Sequence, residues 1–89
     1  MCRSIKTLFN FDPPATDDEI HAASLQFVRK LSGFTHPSIP NQAAFAKAVD
    51  DTAAVARTLL RSLHTNAAPR DRAVEAVKAK ERARVRFGA

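Results

Sequence analysis

The longest helical repeat in the chain occupies residues 41–64, which read NQAAFAKAVDDTAAVARTLLRSLH. Mostly apolar residues recur there at steps of four and three, the spacing that places side chains on one face of an α-helix. We therefore predict a helix over residues 41–64 and expect it to be the central element of the fold. The repeating positions are Phe45, Val49, Thr52, Ala56, Leu59 and Leu63.

A second helix is predicted before it, over residues 17–31. Thr16 and Glu19 have the spacing of a capping box, in which each side chain accepts a hydrogen bond from the backbone N–H of the other residue. Gly33 is a typical residue just past a helix end. In the expected core, Ile20, Phe27 and Leu31 of this helix face Phe45, Val49, Leu59 and Leu63 of the longer one.

Prolines divide the rest of the chain. Pro13 and Pro14 cannot lie inside a helix, so residues 1–15 are predicted to be an extended N-terminal arm. Pro69 suits the first position of a third helix, predicted over residues 69–87. The sequence thus predicts an all-α protein with a single helical domain over residues 1–89. We expect a three-helix bundle with an extended N-terminal arm and a basic C-terminal helix.

Positive charge is concentrated near the C-terminus. The formal net charge is +5, and residues 70–89 contain seven of the 14 Lys and Arg residues but only three of the nine Asp and Glu residues. Such asymmetry attracts phosphate backbones or acidic proteins. We predict that the C-terminal helix binds nucleic acid or an acidic protein partner through Lys78, Lys80, Arg82, Arg84 and Arg86.

Several functional classes find no support in the composition. One Cys cannot form an internal disulfide or a Cys-rich zinc site, and the three His residues lack metal-ligand spacing. Two Gly residues cannot build a phosphate-binding loop. No apolar run approaches the ~18 residues of a membrane helix. We therefore expect a cytoplasmic, non-enzymatic binding module with no metal, no cofactor and no membrane contact.

Cys2 supports an alternative from a different class. Removal of Met1 would leave Cys2 at the N-terminus, where Arg3 and the α-amino group would favour its thiolate form. A thiolate can act as a nucleophile. The alternative is a thiol-dependent enzyme or redox protein that uses Cys2, although the spacing identifies no partner residue for it.

A third alternative follows from a partial resemblance. Residues 7–20 read TLFNFDPPATDDEI, which resembles the entry to the second helix of a J-domain. J-domains carry a His-Pro-Asp loop between two antiparallel helices, and the loop here reads His36-Pro37-Ser38. The resemblance implies a helical hairpin and a J-like chaperone adaptor, while Ser38 replaces the Asp that chaperone stimulation requires.

A broader resemblance covers nearly the whole chain. The opening Met1-Cys2-Arg3-Ser4-Ile5 and the segment Leu8-Phe9-Asn10-Phe11-Asp12-Pro13-Pro14-Ala15-Thr16 are similar to the start of a family of small bacterial proteins of unknown function. The resemblance extends to residues 28–34 and to Pro69-Arg70-Asp71-Arg72. It implies that Met1 is the natural start of the chain, and it implies no particular activity.

Overall fold

A computed structural model of the chain describes residues 5–86, with Arg86 described by its backbone alone. In chain order the elements are strand β1 (Phe11–Asp12), helix α1 (Asp17–Ser32), a 3-10 turn (Ile39–Asn41), helix α2 (Gln42–Ser62), strand β2 (Arg70–Asp71) and helix α3 (Arg72–Arg86). In the described part of the chain, no helix is long and apolar enough to cross a membrane.

Helix α1 begins and ends as its sequence predicts. The Glu19 N–H donates to Thr16 Oγ1 at 3.2 Å, and the Thr16 N–H donates to Glu19 Oε1 at 3.0 Å. The predicted capping box is therefore confirmed. At the other end, Gly33 adopts the left-handed conformation with φ 77° and donates to the Arg29 carbonyl at 2.9 Å.

Helices α1 and α2 pack against each other as an antiparallel hairpin, with Asp17 at the start of α1 bonded to Arg57 in the second half of α2. The buried residues of the hairpin are Ile20, Ser24 and Val28 on α1 and Val49 and Ala53 on α2. Ser24 is satisfied within α1, because its hydroxyl donates to the Ile20 carbonyl at 2.8 Å.

The predicted core is only partly correct. Ile20 and Val49 are buried, but Leu59 is 55% exposed and Leu31 is 73% exposed. Phe27 and Leu63 also belong to the exposed apolar residues. Helix α1 alone covers only a narrow stripe of the surface of α2. The apolar face predicted for residues 41–64 is wider than that stripe, and burying all of it would require another helix beside α1.

The expectation of a purely helical chain is wrong. Strands β1 and β2 pair in parallel, with Phe11 opposite Arg70 and Asp12 opposite Asp71. Parallel strands need a long crossover, and the whole α1–α2 hairpin forms that connection. The third helix consequently starts later than predicted, at Arg72, where Asp71 Oδ1 accepts from the Val74 N–H at 3.0 Å.

The predicted three-helix bundle is not confirmed, because α3 lies largely apart from the hairpin in residues 5–86. Its main contacts in residues 5–86 are with β2, and it makes at most isolated contacts with α1 and α2. The radius of gyration is 15.6 Å, above the ~12 Å expected for a compact domain of this length. Cationic side chains along α3 disfavour its burial, because an unpaired charge loses its hydration. The molecule is thus a helical hairpin from which a basic helix projects.

Candidate binding surfaces

The base of α3 is attached to the hairpin by a forked ion pair. Arg72 donates from Nη1 to Glu19 Oε2 at 2.9 Å and from Nη2 to Glu19 Oε1 at 2.8 Å. Its Nε donates to the Pro13 carbonyl at 2.6 Å. In this geometry the guanidinium and carboxylate planes align, so the pair fixes both the distance between the two side chains and their relative orientation. One side chain therefore joins α3 to both α1 and the N-terminal arm.

The meeting point of Pro13, Glu19 and Arg72 is called the junction, and the arm makes further contacts there. The guanidinium carbons of Arg70 and Arg72 lie 5.7 and 5.6 Å from the centroid of the Phe11 ring, within the range of cation–π attraction. Asn10 has a positive φ of 65° and donates from Nδ2 to the Ala68 carbonyl at 3.1 Å. Asn tolerates this left-handed conformation better than most residues. The arm thus contacts the segment before α3 through Asn10 and Phe11.

The electrostatics of the junction fit a structural role. The hydrogen bonds from Arg72, followed by the backbone bond from Thr16, lower the pKa of Glu19 from 4.5 to about 2. The same hydrogen bond raises the pKa of Arg72. A carboxylate that is ionised throughout the physiological range does not serve as a general acid. Glu19 and Arg72 are therefore positioned to hold the fold rather than to transfer protons.

The predicted basic residues lie on α3 in two rows. Lys78 and Arg82 are four residues apart, and so are Lys80 and Arg84, and all four side chains are exposed. Lys78 pairs with Glu75 at 3.8 Å, and Arg84 pairs with Glu81. Of the cationic side chains described on α3, those of Lys80 and Arg82 are in no ion pair. The backbone of Arg86 ends the helix, and its side chain lies outside the described part.

The other candidate residues are not brought together. Cys2 lies outside the described residues. His36 is exposed in the loop between α1 and the 3-10 turn, while His21 is on α1 and His64 follows α2. Within residues 5–86, no group of three or more His, Cys, Asp or Glu residues could hold a metal ion.

Sequence reasoning missed a cleft of about 460 Å³ beside the junction. Its walls come from the N-terminal arm, α1 and α2. Seven apolar residues line it together with four polar ones, Asn10, Asp17, Arg57 and Arg61. The cleft could not be read from periodicity, because its walls are separated by up to about fifty positions in sequence. One sequence signal pointed to this region. Segments 8–16 and 69–72, which carry the resemblance to a family of unknown function, are the segments that meet at the junction.

Comparison with known proteins confirms the resemblance to a family of unknown function. A family model described as an uncharacterised conserved protein, DUF2277, matches residues 1–78. The chain belongs to the DUF2277 family. The match covers the arm, the hairpin, the junction and the first half of α3, and the DUF2277 description assigns no activity. Lys80 to Arg86 lie beyond the matched residues. No curated protein and no solved structure matches the chain.

Proposed function

We propose that this protein is a non-enzymatic binding module whose projecting helix α3 contacts the phosphate backbone of nucleic acid. One observation supports the proposal most directly. The cations of α3 are exposed, and α3 itself extends away from the hairpin. A helix of 15 residues is roughly 22 Å long, so its cations can reach several phosphates of one duplex.

The junction makes α3 a suitable contact element. The Glu19–Arg72 fork and the β1–β2 pair hold its first turn, while the exposed cations begin at Lys78, six residues after Arg72. Binding therefore requires no opening of the hairpin core. The free ends of Lys80 and Arg82 can exchange water for phosphate oxygens without first breaking an ion pair.

Phosphate contact explains the charge distribution better than solubility alone. Like charges four residues apart destabilise an isolated helix by a few tenths of a kcal/mol per pair, and α3 carries two such pairs in the described side chains. Bound phosphates remove that repulsion. With no groove-reading motif in the sequence, we expect affinity that varies little between base sequences.

The test is the salt dependence of binding to a short DNA duplex, measured by fluorescence anisotropy. Lys80→Ala combined with Arg82→Ala should weaken binding at low salt about tenfold or more. It should also reduce the slope of log affinity against log salt by roughly 1.8, since each phosphate contact contributes about 0.9. Replacement of Lys6 and Lys30 by Ala removes the same charge from the arm and hairpin and serves as the matched control.

Two results would overturn the proposal. One is the lack of measurable binding to DNA or RNA at ~50 mM salt. The other is an equal loss in the α3 variant and in the control, which would mean that only net charge matters. In either case an acidic protein becomes the better candidate partner of α3.

A further inference from the structure

The cleft beside the junction has the size and lining of a small-molecule site. Its volume of about 460 Å³ falls within the ~300–1,000 Å³ typical of ligand pockets. Leu8 and Phe11 of the arm, Ile20 of α1 and Leu60 of α2 contribute apolar surface. None of its lining residues belongs to α3, so any ligand here would be distinct from the partner proposed for the basic helix.

The polar side of the cleft has an unbalanced positive charge. Arg57 and Arg61 both line it and lie four residues apart on α2. Arg57 Nε donates to Asp17 Oδ1 at 3.0 Å, which neutralises the first arginine. Arg61 is exposed and forms no ion pair with any described side chain. The cleft therefore combines apolar walls with one uncompensated guanidinium.

We propose that this cleft binds a small amphipathic carboxylate. The hydrocarbon part lies between Leu8, Ile20 and Leu60, and the carboxylate accepts a forked pair of hydrogen bonds from Arg61. A guanidinium matches a carboxylate in geometry, and a single negative charge balances the single free arginine. A doubly charged phosphate would leave one charge unmatched, and a neutral hydrocarbon would leave Arg61 without a partner.

Octanoate is the probe for the test, with binding followed by NMR on the full chain and by calorimetry. We expect saturable binding with chemical-shift changes at the methyl groups of Leu8, Ile20 and Leu60. Affinity should rise about fourfold per added methylene from hexanoate to octanoate, because each buried CH₂ contributes a similar transfer free energy. Octanol, which lacks the charge, should bind at least tenfold more weakly.

Two variants locate the carboxylate. Arg61→Gln should reduce octanoate affinity at least tenfold and leave the weak octanol affinity unchanged. Lys30→Gln removes the same charge from an exposed position on α1 outside this cleft and should leave octanoate affinity unchanged. Both positions are exposed, so the folded state should persist in both variants, and the methyl spectrum checks this directly.

Three results would overturn the inference. The first is a titration with no saturation, or with shifts that do not include the three methyl-bearing residues. The second is equal affinity for octanoate in Arg61→Gln and the wild-type protein. The third is an equal loss in Arg61→Gln and Lys30→Gln, which would indicate nonspecific attraction to a basic protein.

Discussion

The carboxylate of Glu19 makes two structurally important sets of contacts. It completes the capping box of α1 through Thr16, and it receives the fork of Arg72 from the start of α3. Arg72 in turn reaches the Pro13 carbonyl and lies over the Phe11 ring. Since these contacts share one pair of side chains, loss of Glu19 weakens a helix end and the attachment of α3 together.

We predict that Glu19→Gln lowers the free energy of unfolding at pH 7 by about 1 kcal/mol, because 35% of the Glu19 side chain is exposed and water screens its charge. The folded-state pKa of about 2 lies below the ordinary 4.5. The stabilisation by ionised Glu19 is therefore present above pH 4.5 and is lost as the pH falls towards 2.

Urea unfolding at pH 7, 4 and 2.5 measures this effect. Glu19→Gln should flatten the loss of stability between pH 4.5 and 2 relative to the wild-type protein. The exposed neighbour Asp18, changed to Asn, is the control and should keep the wild-type profile. A Glu19→Gln profile parallel to that of the wild-type protein would show that the fork contributes nothing to folding.

Residue-scale features were predictable only where they were local. Thr16 and Glu19 are three positions apart, so the capping rule identifies them from sequence alone. Glu19 and Arg72 are 53 positions apart, and no spacing rule connects them. The positive φ of Asn10 was also not predictable, because its hydrogen bond to the Ala68 carbonyl spans 58 positions.

At the scale of the elements, the register of α2 decides which residues are in the core. The buried line runs through Val49 and Ala53, four residues apart, and faces Ile20 and Val28 of α1. Leu59 is six residues beyond Ala53, which places it about 120° round the helix at 100° per residue. Its exposure follows from that angle.

We predict that Ile20→Ala lowers the free energy of unfolding by about 2–4 kcal/mol, because Ile20 is 4% exposed and its loss leaves a cavity. Leu59→Ala should cost less than about 1 kcal/mol, since more than half of the side chain already contacts water. Chemical denaturation of both variants gives the comparison. Similar losses in the two variants would mean that another element covers Leu59 in solution.

The periodicity of the sequence was sufficient to place the helices and insufficient to orient them. Helices α1 and α2 lie within two residues of their predicted ends, because caps and apolar spacing are local signals. The apolar positions of residues 41–64 are compatible with more than one buried face of α2. Which face is buried depends on how α1 packs against it. The strand pair was hidden because two residues on each side are too few for a period-two pattern.

The two candidate surfaces, the cations of α3 and the cleft, differ in how far the sequence predicted them. The cations of α3 were visible as a charge excess, since surface charge needs no tertiary partner. The cleft needs the arm, α1 and α2 together, so it follows only from the assembled fold. The flat shape, 43 × 38 × 19 Å, likewise depends on α3 leaving the hairpin.

The isolation of α3 has a consequence for its stability. Val74, Val77 and Val85 are exposed, so α3 gains little from apolar burial beyond its first turn. Helices of about 12–15 residues are marginal in water without tertiary packing. The Glu75–Lys78 and Glu81–Arg84 pairs add only a few tenths of a kcal/mol each. The outer part of α3 should therefore open more often than the hairpin does.

We predict that backbone amides of residues 76–85 exchange with deuterium at least about 100-fold faster than those of residues 49–60, because local opening of α3 does not disturb the core. Hydrogen exchange followed by NMR on the full chain measures both segments in one sample. Amides near Arg72 provide the internal control, since the Glu19 fork and the β1–β2 pair should give them intermediate protection. Equal protection along α2 and α3 would contradict a projecting helix and would show that α3 packs on the exposed face of the hairpin in solution.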